Sequence, residues 1–466
     1  MDSLQSKEQV QAVFVSKSKK YQVPSAPILI PTNLKRFGLS EIINHLLENE
    51  KPIPFDFLIN EILLKSTIAE FLQNFSLSIE NILTIEFIES IKPPTQKETL
   101  PTDSWISSLL VASNDLFYVA SYDSTIQIWN SEKECKAKLV GHTGPVKSIT
   151  SLGNLDNLSD NTKSNQVNLL SAGLDQTIIG WKKSLSSSND QNPDFDQAYI
   201  SYGHFASVDD VTSTVDNSHF ISASADSFLK IWSTEIPSEE SQLEILDNGI
   251  EGLPSLNLIL SQSNAKKAKK IKPSSSESKQ PKKLFKTSKL TFRGHVGPVS
   301  SVCINPNQEN QFFSGGADQS IRSWDILTGD CINTKVADTS VLDTQYSSLS
   351  GLIVSGHTDK TIRIWDPRVE DSSVVSTSLK GHSSWVKSLK WSSTNPFMLA
   401  SASYDSSVKI WDIRSNSYIF SIKCVSSKNN GKKPKGQLVD KLLALDWKSN
   451  TIIAGGESGD LFINSF

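Results

Sequence analysis

The chain has 466 residues, more than one ordinary domain holds, with 37% hydrophobic residues and a formal net charge of −4. It contains no run of 18 apolar residues and no apolar signal region in "MDSLQSKEQVQ", so neither a membrane-spanning helix nor a secretory leader is expected. Cys135, Cys303, Cys331 and Cys424 show no C-x-x-C spacing and read as reduced thiols rather than staples or zinc ligands.

Residues 1–8 read as a disordered N-terminus and 9–92 as a small α+β domain. "QVQAVFV" alternates as a strand does. "LSEIINHLLE" sets Leu39, Ile42, Ile43, Leu46 and Leu47 at helical spacing, giving one apolar face. "FDFLINEILL" reads as a strand pair around a turn. "STIAEFL" offers Thr67 and Glu70 as a capping box for a short second helix, and "NILTIEFIES" closes as a strand. That order is the order of a ubiquitin-like roll. Pro93-Pro94 breaks the pattern, and 93–99 reads as a linker to a second domain at 100–466.

The second domain repeats. Asp is followed six residues later by Trp six times, at Asp123/Trp129, Asp175/Trp181, Asp226/Trp232, Asp318/Trp324, Asp359/Trp365 and Asp405/Trp411. Apolar residues alternate between them, as in Ile126/Ile128 and Val408/Ile410, and small turn-prone residues precede the Asp. The unit is therefore strand, tight turn, strand, with the Asp in the turn. Ser171, Ser222, Ser314, Ser355 and Ser401 lie four before their Asp. Gly-His pairs precede four units. His204, His295 and His382 stand 22 or 23 residues before the Asp, and His142 stands 33 before, across an insertion around 152–167. Gly356-His357, two residues before Asp359, stands in the wrong register. The end of the chain fits the template with Ser458 in the Asp place and Asn464 in the Trp place, which makes seven units. A strand from near 97–110 is expected to complete the last one, because an open ring leaves a sheet edge exposed.

These residues resemble the WD40 repeat. The resemblance implies a mostly β chain, a seven-bladed WD40 β-propeller preceded by the small ubiquitin-like domain. It also implies hydrogen-bonded tetrads: His142, Ser171, Asp175, Trp181; His204, Ser222, Asp226, Trp232; His295, Ser314, Asp318, Trp324; and His382, Ser401, Asp405, Trp411. Ser, His and Asp together also spell a catalytic triad, but a set that recurs blade after blade serves structure, since a catalytic set occurs once. Histidines in different blades lack metal-ligand spacing. No phosphate-binding loop, G-x-G-x-x-G or G-x-S-x-G occurs, so enzyme activity has no support.

Residues 235–290 form an insertion whose Ser, Lys and Pro content predicts disorder. Residues 260–290 hold ten lysines and one acidic residue, Glu277, which leaves the rest of the chain near −13. The clusters Lys266, Lys267, Lys269, Lys270 and Lys282, Lys283 read as a nuclear-localisation signal. The same run also suits salt-dependent contact with rRNA phosphates, or a solvated linker. Tyr122, Trp385 and Tyr404 adjoin the turns of one propeller face and read either as partner-binding aromatics or as packing between blades.

"LKRFGLSEIINHLL", "KPIPFDFLINEILL" and "SLSIENILTIEFIESIKPP" resemble the NLE domain of Notchless-type ribosome assembly factors. With the propeller, the chain is similar to the WD-repeat subunits of the pescadillo–block-of-proliferation (PeBoW) complex. The resemblance implies a non-catalytic assembly factor for the large (60S) ribosomal subunit, acting in pre-rRNA processing and pre-60S maturation in the nucleolus and nucleoplasm. Its implied partners are a block-of-proliferation-type propeller protein, a pescadillo-type protein, the pre-60S particle and the AAA ATPase midasin, with no membrane. Glu80 is the position matching the acidic side chain offered to a metal ion in midasin's MIDAS domain. No cofactor of its own is implied; Mg²⁺ enters only at that interface. The rival reading is an adaptor that recruits substrates to a ubiquitin ligase or signalling complex.

Overall fold

The computed structural model describes residues 8–466 except 17–20, 22, 25, 50, 61, 79, 91–92, 113–115, 133, 154–165, 185–194, 239–283, 370–376, 416 and 425–439. The six lysines of the nuclear-localisation reading lie outside the described residues. Two compact units part between Pro94 and Thr95.

The first unit is a five-stranded sheet carrying two helices. Its elements are β1 (Gln9–Val15), β2 (Ile28–Pro31), α1 (Arg36–Leu46), β3 (Phe55–Ile59), β4 (Ile62–Leu63), α2 (Ile68–Asn74) and β5 (Leu83–Glu89), in the sheet order β2-β1-β5-β3-β4. β1 pairs with β5 in parallel; the other pairings are antiparallel. Alternate residues of the central strands, Phe14, Phe57, Ile85 and Phe87, bury beneath Leu39 and Ile43 of α1 and Ile68 and Phe71 of α2. That placement follows from period 2 in the strands meeting period 3.6 in the helices. Thr67 caps α2 by accepting from the Glu70 N–H at 3.2 Å. Pro27 and Pro31 bracket the edge strand β2, which blunts an open ladder.

The second unit is a ring of seven sheets. Its inner strands are Ile106–Val111, Val146–Ser151, Val208–Ser213, Val299–Ile304, Val341–Tyr346, Val386–Trp391 and Leu442–Lys448, for blades 1 to 7. Each packs against the next, and the seventh returns to the first. The last blade takes its outer strand from the other end of the chain: β6 (Thr95–Pro101) pairs antiparallel with Asp460–Ser465. The expected 93–99 linker is thus corrected, because from Thr95 onward the chain covers the edge that Asp460–Ser465 would leave open.

The 235–290 insertion needs a second correction. Phe285–Lys286 is a fifth strand added in parallel to blade 2, and Leu290–Phe292 is the outer strand of blade 3. Lys286 anchors this return: its Nζ lies 3.9 Å from the Tyr199 ring centroid and donates to the carbonyls of Ser233 and Glu235. Lysine-rich composition masked the apolar residues Leu284, Phe285 and Phe292, which pack against the cores of the neighbouring blades.

All seven inner strands shift register at the same place, from 106/108 in blade 1 to 442/444 in blade 7. Residues at or just past that bulge bridge every seam around a central channel of about 510 Å³. Ser108 accepts from Ile149 N–H (3.3 Å), Ser148 donates to Asp210 (2.8 Å), and Asp210 accepts from Val302 N–H (2.9 Å). Ser301 meets Thr344 (2.8 Å), and Asp343 accepts from Leu389 N–H (2.7 Å). Lys390 pairs with Asp446 (3.6 Å), which accepts from Val111 N–H of blade 1 (2.8 Å) and closes the circuit.

Candidate partner-binding surfaces

The Asp turns are built alike in all seven blades. The residue after the Asp has positive φ: Ser124, Gln176, Ser227, Gln319, Lys360, Ser406 and, after Ser458, Gly459. Each Asp Oδ1 accepts the N–H two residues on, at 2.9–3.3 Å from Thr125 to Ser407, and Ser458 Oγ accepts from Asp460 N–H at 3.2 Å. A short acceptor side chain that closes its own turn is the reason for Asp, or Ser, there.

In blades 2, 3, 4 and 6 the same Asp completes a directed chain. Trp181 Nε1 donates to Ser171 Oγ (2.9 Å), Ser171 meets His142 Nε2 (2.8 Å), and His142 Nδ1 meets Asp175 (3.0 Å). The sets around Trp232, Trp324 and Trp411 repeat it at 2.7–2.9 Å. Donor accounting assigns the His proton to Nδ1, so that every buried polar atom is satisfied by a neutral imidazole. Burial pushes His204 and His382 down against the pull of Asp226 and Asp405. Burial raises the Asp175 carboxyl, but His142, Thr143 and Thr177 outweigh it and bring it to about 2. At Gly173 an added Cβ would meet Asp175 Oδ1 at 2.7 Å and His142 Nδ1 at 2.8 Å, hence the small residues before the Asp. These side chains are buried and mutually engaged, so they hold blades together.

Three blades depart from that plan. In blade 1 Asp123 pairs with Lys138 (3.1 Å) and Trp129 donates to Gln127 (3.0 Å). In blade 5 His357 stands on the strand, out of the Gly-His register as expected, but it is no decoy: its Nε2 lies 2.7 Å from Ser355 Oγ, and that hydroxyl accepts from Trp365 Nε1 at 2.7 Å. Asp359, left without a His, binds Arg363 at 2.8 Å. In blade 7 Asn464 is buried in the Trp place, and neither of its amide atoms meets a partner among the described residues.

The face that carries these turns also carries the aromatic candidates. In each blade the residue before the Asp, or Ser458, donates its N–H to the carbonyl of the residue before the inner strand, joining Trp105/Tyr122, Pro145/Leu174, Ser207/Ala225, Pro298/Ala317, Ser340/Thr358, Trp385/Tyr404 and Lys441/Glu457. Only blades 1 and 6 place two aromatics there. Trp385 stacks on Tyr404 at 5.7 Å, and Trp105 meets Tyr122 edge-on at 5.6 Å. Blade 7, between them, holds the Lys441–Glu457 ion pair at 3.2 Å, with Lys441 5.4 Å from the Tyr404 centroid. Lys147 lies 5.2 Å from the Tyr122 centroid. Trp105 and Trp385 are 48% and 46% exposed, which decides against packing between blades as their whole role. Tyr122, Trp385 and Tyr404 thus join one arc over blades 6, 7 and 1. The sequence reading missed Trp105, although "SWISSL" matches "SWVKSL" around Trp385.

In the first unit Glu80 lies exposed in the loop between α2 and β5. Its backbone N–H donates to Ser78 Oγ (3.2 Å), and its carboxylate makes no hydrogen bond or ion pair with a described residue. Phe75 and Ile82, at the ends of the loop, are also exposed. No group of three or more His, Cys, Asp or Glu suited to a metal occurs among the described residues.

Residues 10–72 match the NLE (NUC135) domain family, and 196–233, 286–325, 329–366 and 373–412 match the WD domain, G-beta repeat. The Schizosaccharomyces pombe "Ribosome biogenesis protein ytm1" is 33% identical over 98% of this chain and 96% of its own length. The chain belongs to the YTM1/WDR12 family of ribosome biogenesis proteins. The YTM1 protein of Candida glabrata is 33% identical over 98% of this chain and 97% of its own. A WDR12 homolog of Nematostella vectensis is 34% identical over 88% and 90%. As a member of the YTM1/WDR12 family, this chain serves ribosome biogenesis.

Proposed function

We propose that the chain is a non-catalytic scaffold in maturation of the pre-60S particle, with two separate working surfaces. The arc of Trp105, Tyr122, Trp385 and Tyr404 around the Lys441–Glu457 pair binds the block-of-proliferation-type propeller partner, and through it a pescadillo-type protein. The observation that carries this is the pairing of exposed aromatics on blades 6 and 1, where most other blades place small residues. Glu80 is the handle. A free, exposed carboxylate suits an Mg²⁺ ion with an open coordination position, and midasin, which holds such an ion, grips the unit there and removes the protein. The process places the chain in the nucleolus and nucleoplasm, with the lysine clusters around 266–283 as its import signal.

The test is co-purification with a tagged chain. Trp105→Ala with Trp385→Ala is expected to lose the propeller partner while the circular dichroism spectrum stays unchanged. Retention of the partner by that variant would remove the arc from the account.

A further inference from the structure

We propose that the ring is built to open at blade 7, and that the opening strand is the one attached to the N-terminal unit. In blades 1 to 6 the four antiparallel strands follow one another along the chain, with Phe285–Lys286 added to blade 2 from the later insertion; only in blade 7 do the two ends of the chain meet. Its outer strand, β6, begins at Thr95, directly after the first unit ends at Pro94. Tension on the first unit therefore acts on the first residue of the strand that closes the ring.

Three features make this the place that yields. Blade 7 lacks the tetrad: Ala454 stands in the Ser place, Ser458 in the Asp place, and the buried Asn464 amide is unpartnered among the described residues. Of β6 only Leu100 is fully buried among the side chains described. The ladder is irregular between Ile463/Glu98 and Asn464/Gln96, so the pairs nearest the entry, Asn464/Gln96 and Ser465/Thr95, are set apart from the rest. The far end is better held, since Thr102 N–H and Oγ1 both lie 2.6 Å from Gly459 O.

Direction matters as much as strength. Thr95 pairs with Ser465, next to the last residue of the chain, so tension between the N-terminal unit and the C-terminus loads the pairs one after another. Bonds loaded singly give way at lower force than bonds loaded together. The inner strand of blade 7 stays bolted through Asp446 to Val111 and Lys390. Peeling thus strips the outer edge of the blade that forms the middle of the aromatic arc, without dissolving the channel wall.

The experiment is an optical-trap measurement on the full chain held by tags at its two ends. The expected first propeller event is a short one, freeing about 2.5 nm of chain for the seven residues of β6 at roughly 3.5 Å each, at lower force than the remaining propeller. A second variant carries Thr95→Cys and Ser465→Cys in a Cys135→Ser background, since Cys135 is exposed. Cα partners across an antiparallel pair lie within disulfide reach. Oxidised, it should route tension around the propeller, leave only first-unit events, and regain the short step on reduction. Propeller unfolding in one large step in the wild type, or in the reduced variant, overturns the proposal. No ATPase enters this test. A ring that peels while Glu80→Ala releases normally keeps this inference and sinks the handle; a ring that does not peel leaves the handle untouched.

Discussion

His357 Nε2 lies 2.7 Å from Ser355 Oγ, two residues earlier on the same strand. Alternate residues of a strand share a face, so the imidazole reaches the hydroxyl that tetrad histidines reach from the preceding loop. Its Nδ1 meets Thr339 O at 3.3 Å, which gives it the tetrad tautomer. Burial, followed by Arg363, lowers His357 to about 4.

His357→Ala should cost about 2–4 kcal/mol, from the emptied volume and the lost acceptor of Ser355. The effect should depend on pH. The folded state binds the proton more weakly than the unfolded chain, at about 4 against 6.5. The contribution is therefore full above pH 6.5 and is lost as pH falls toward 4. Urea unfolding of wild type and variant across that window checks it; a constant difference contradicts it.

Ser401→Ala should destabilise blade 6 by about 2 kcal/mol or more. It removes the acceptor of Trp411 Nε1 and the partner of His382 Nε2, leaving two buried polar atoms unpaired. Urea midpoints measure it, and a change below about 0.5 kcal/mol would deny the tetrad its structural role.

Asp343→Asn should be tolerated at pH 7.5. Burial, then the charge of Asp210, raises Asp343 to about 6, so its ionised form is disfavoured in the folded state. The wild type accordingly loses stability as pH rises from about 4 to 6, and the variant should lack that slope. An amide oxygen can still accept from Leu389 N–H. Melting temperatures across pH 4–7.5 show whether the slope disappears.

Much of this was legible because its chemistry is local. The Asp-to-Trp spacing is set by a turn that the Asp closes on itself, and the helices of the first unit follow from Leu39, Ile43 and Thr67. What failed was non-local or out of template. Closure of the last blade by a strand near 97–110 was expected from the open edge, but its start at Thr95, inside the expected linker, depends on pairing with residues more than 350 positions away. Trp105 lies outside the Asp–Trp window. His357 was discounted by spacing, although strand parity aims it at Ser355. Phe285–Lys286 was hidden by the lysines around it.

Asn464→Leu should stabilise the propeller by about 1 kcal/mol, since it removes a buried amide whose atoms find no partner among the described residues. Thermal unfolding measures it. A loss of stability would mean that the amide is satisfied in solution, for example by water.

The separation of handle and scaffold is tested most directly by quantitative purification of tagged wild type and Glu80→Ala from cells. The account predicts that Glu80→Ala folds normally, retains its propeller partner, and accumulates several-fold on pre-60S particles because release stalls. Wild-type particle occupancy in that variant, or loss of the propeller partner, would contradict it.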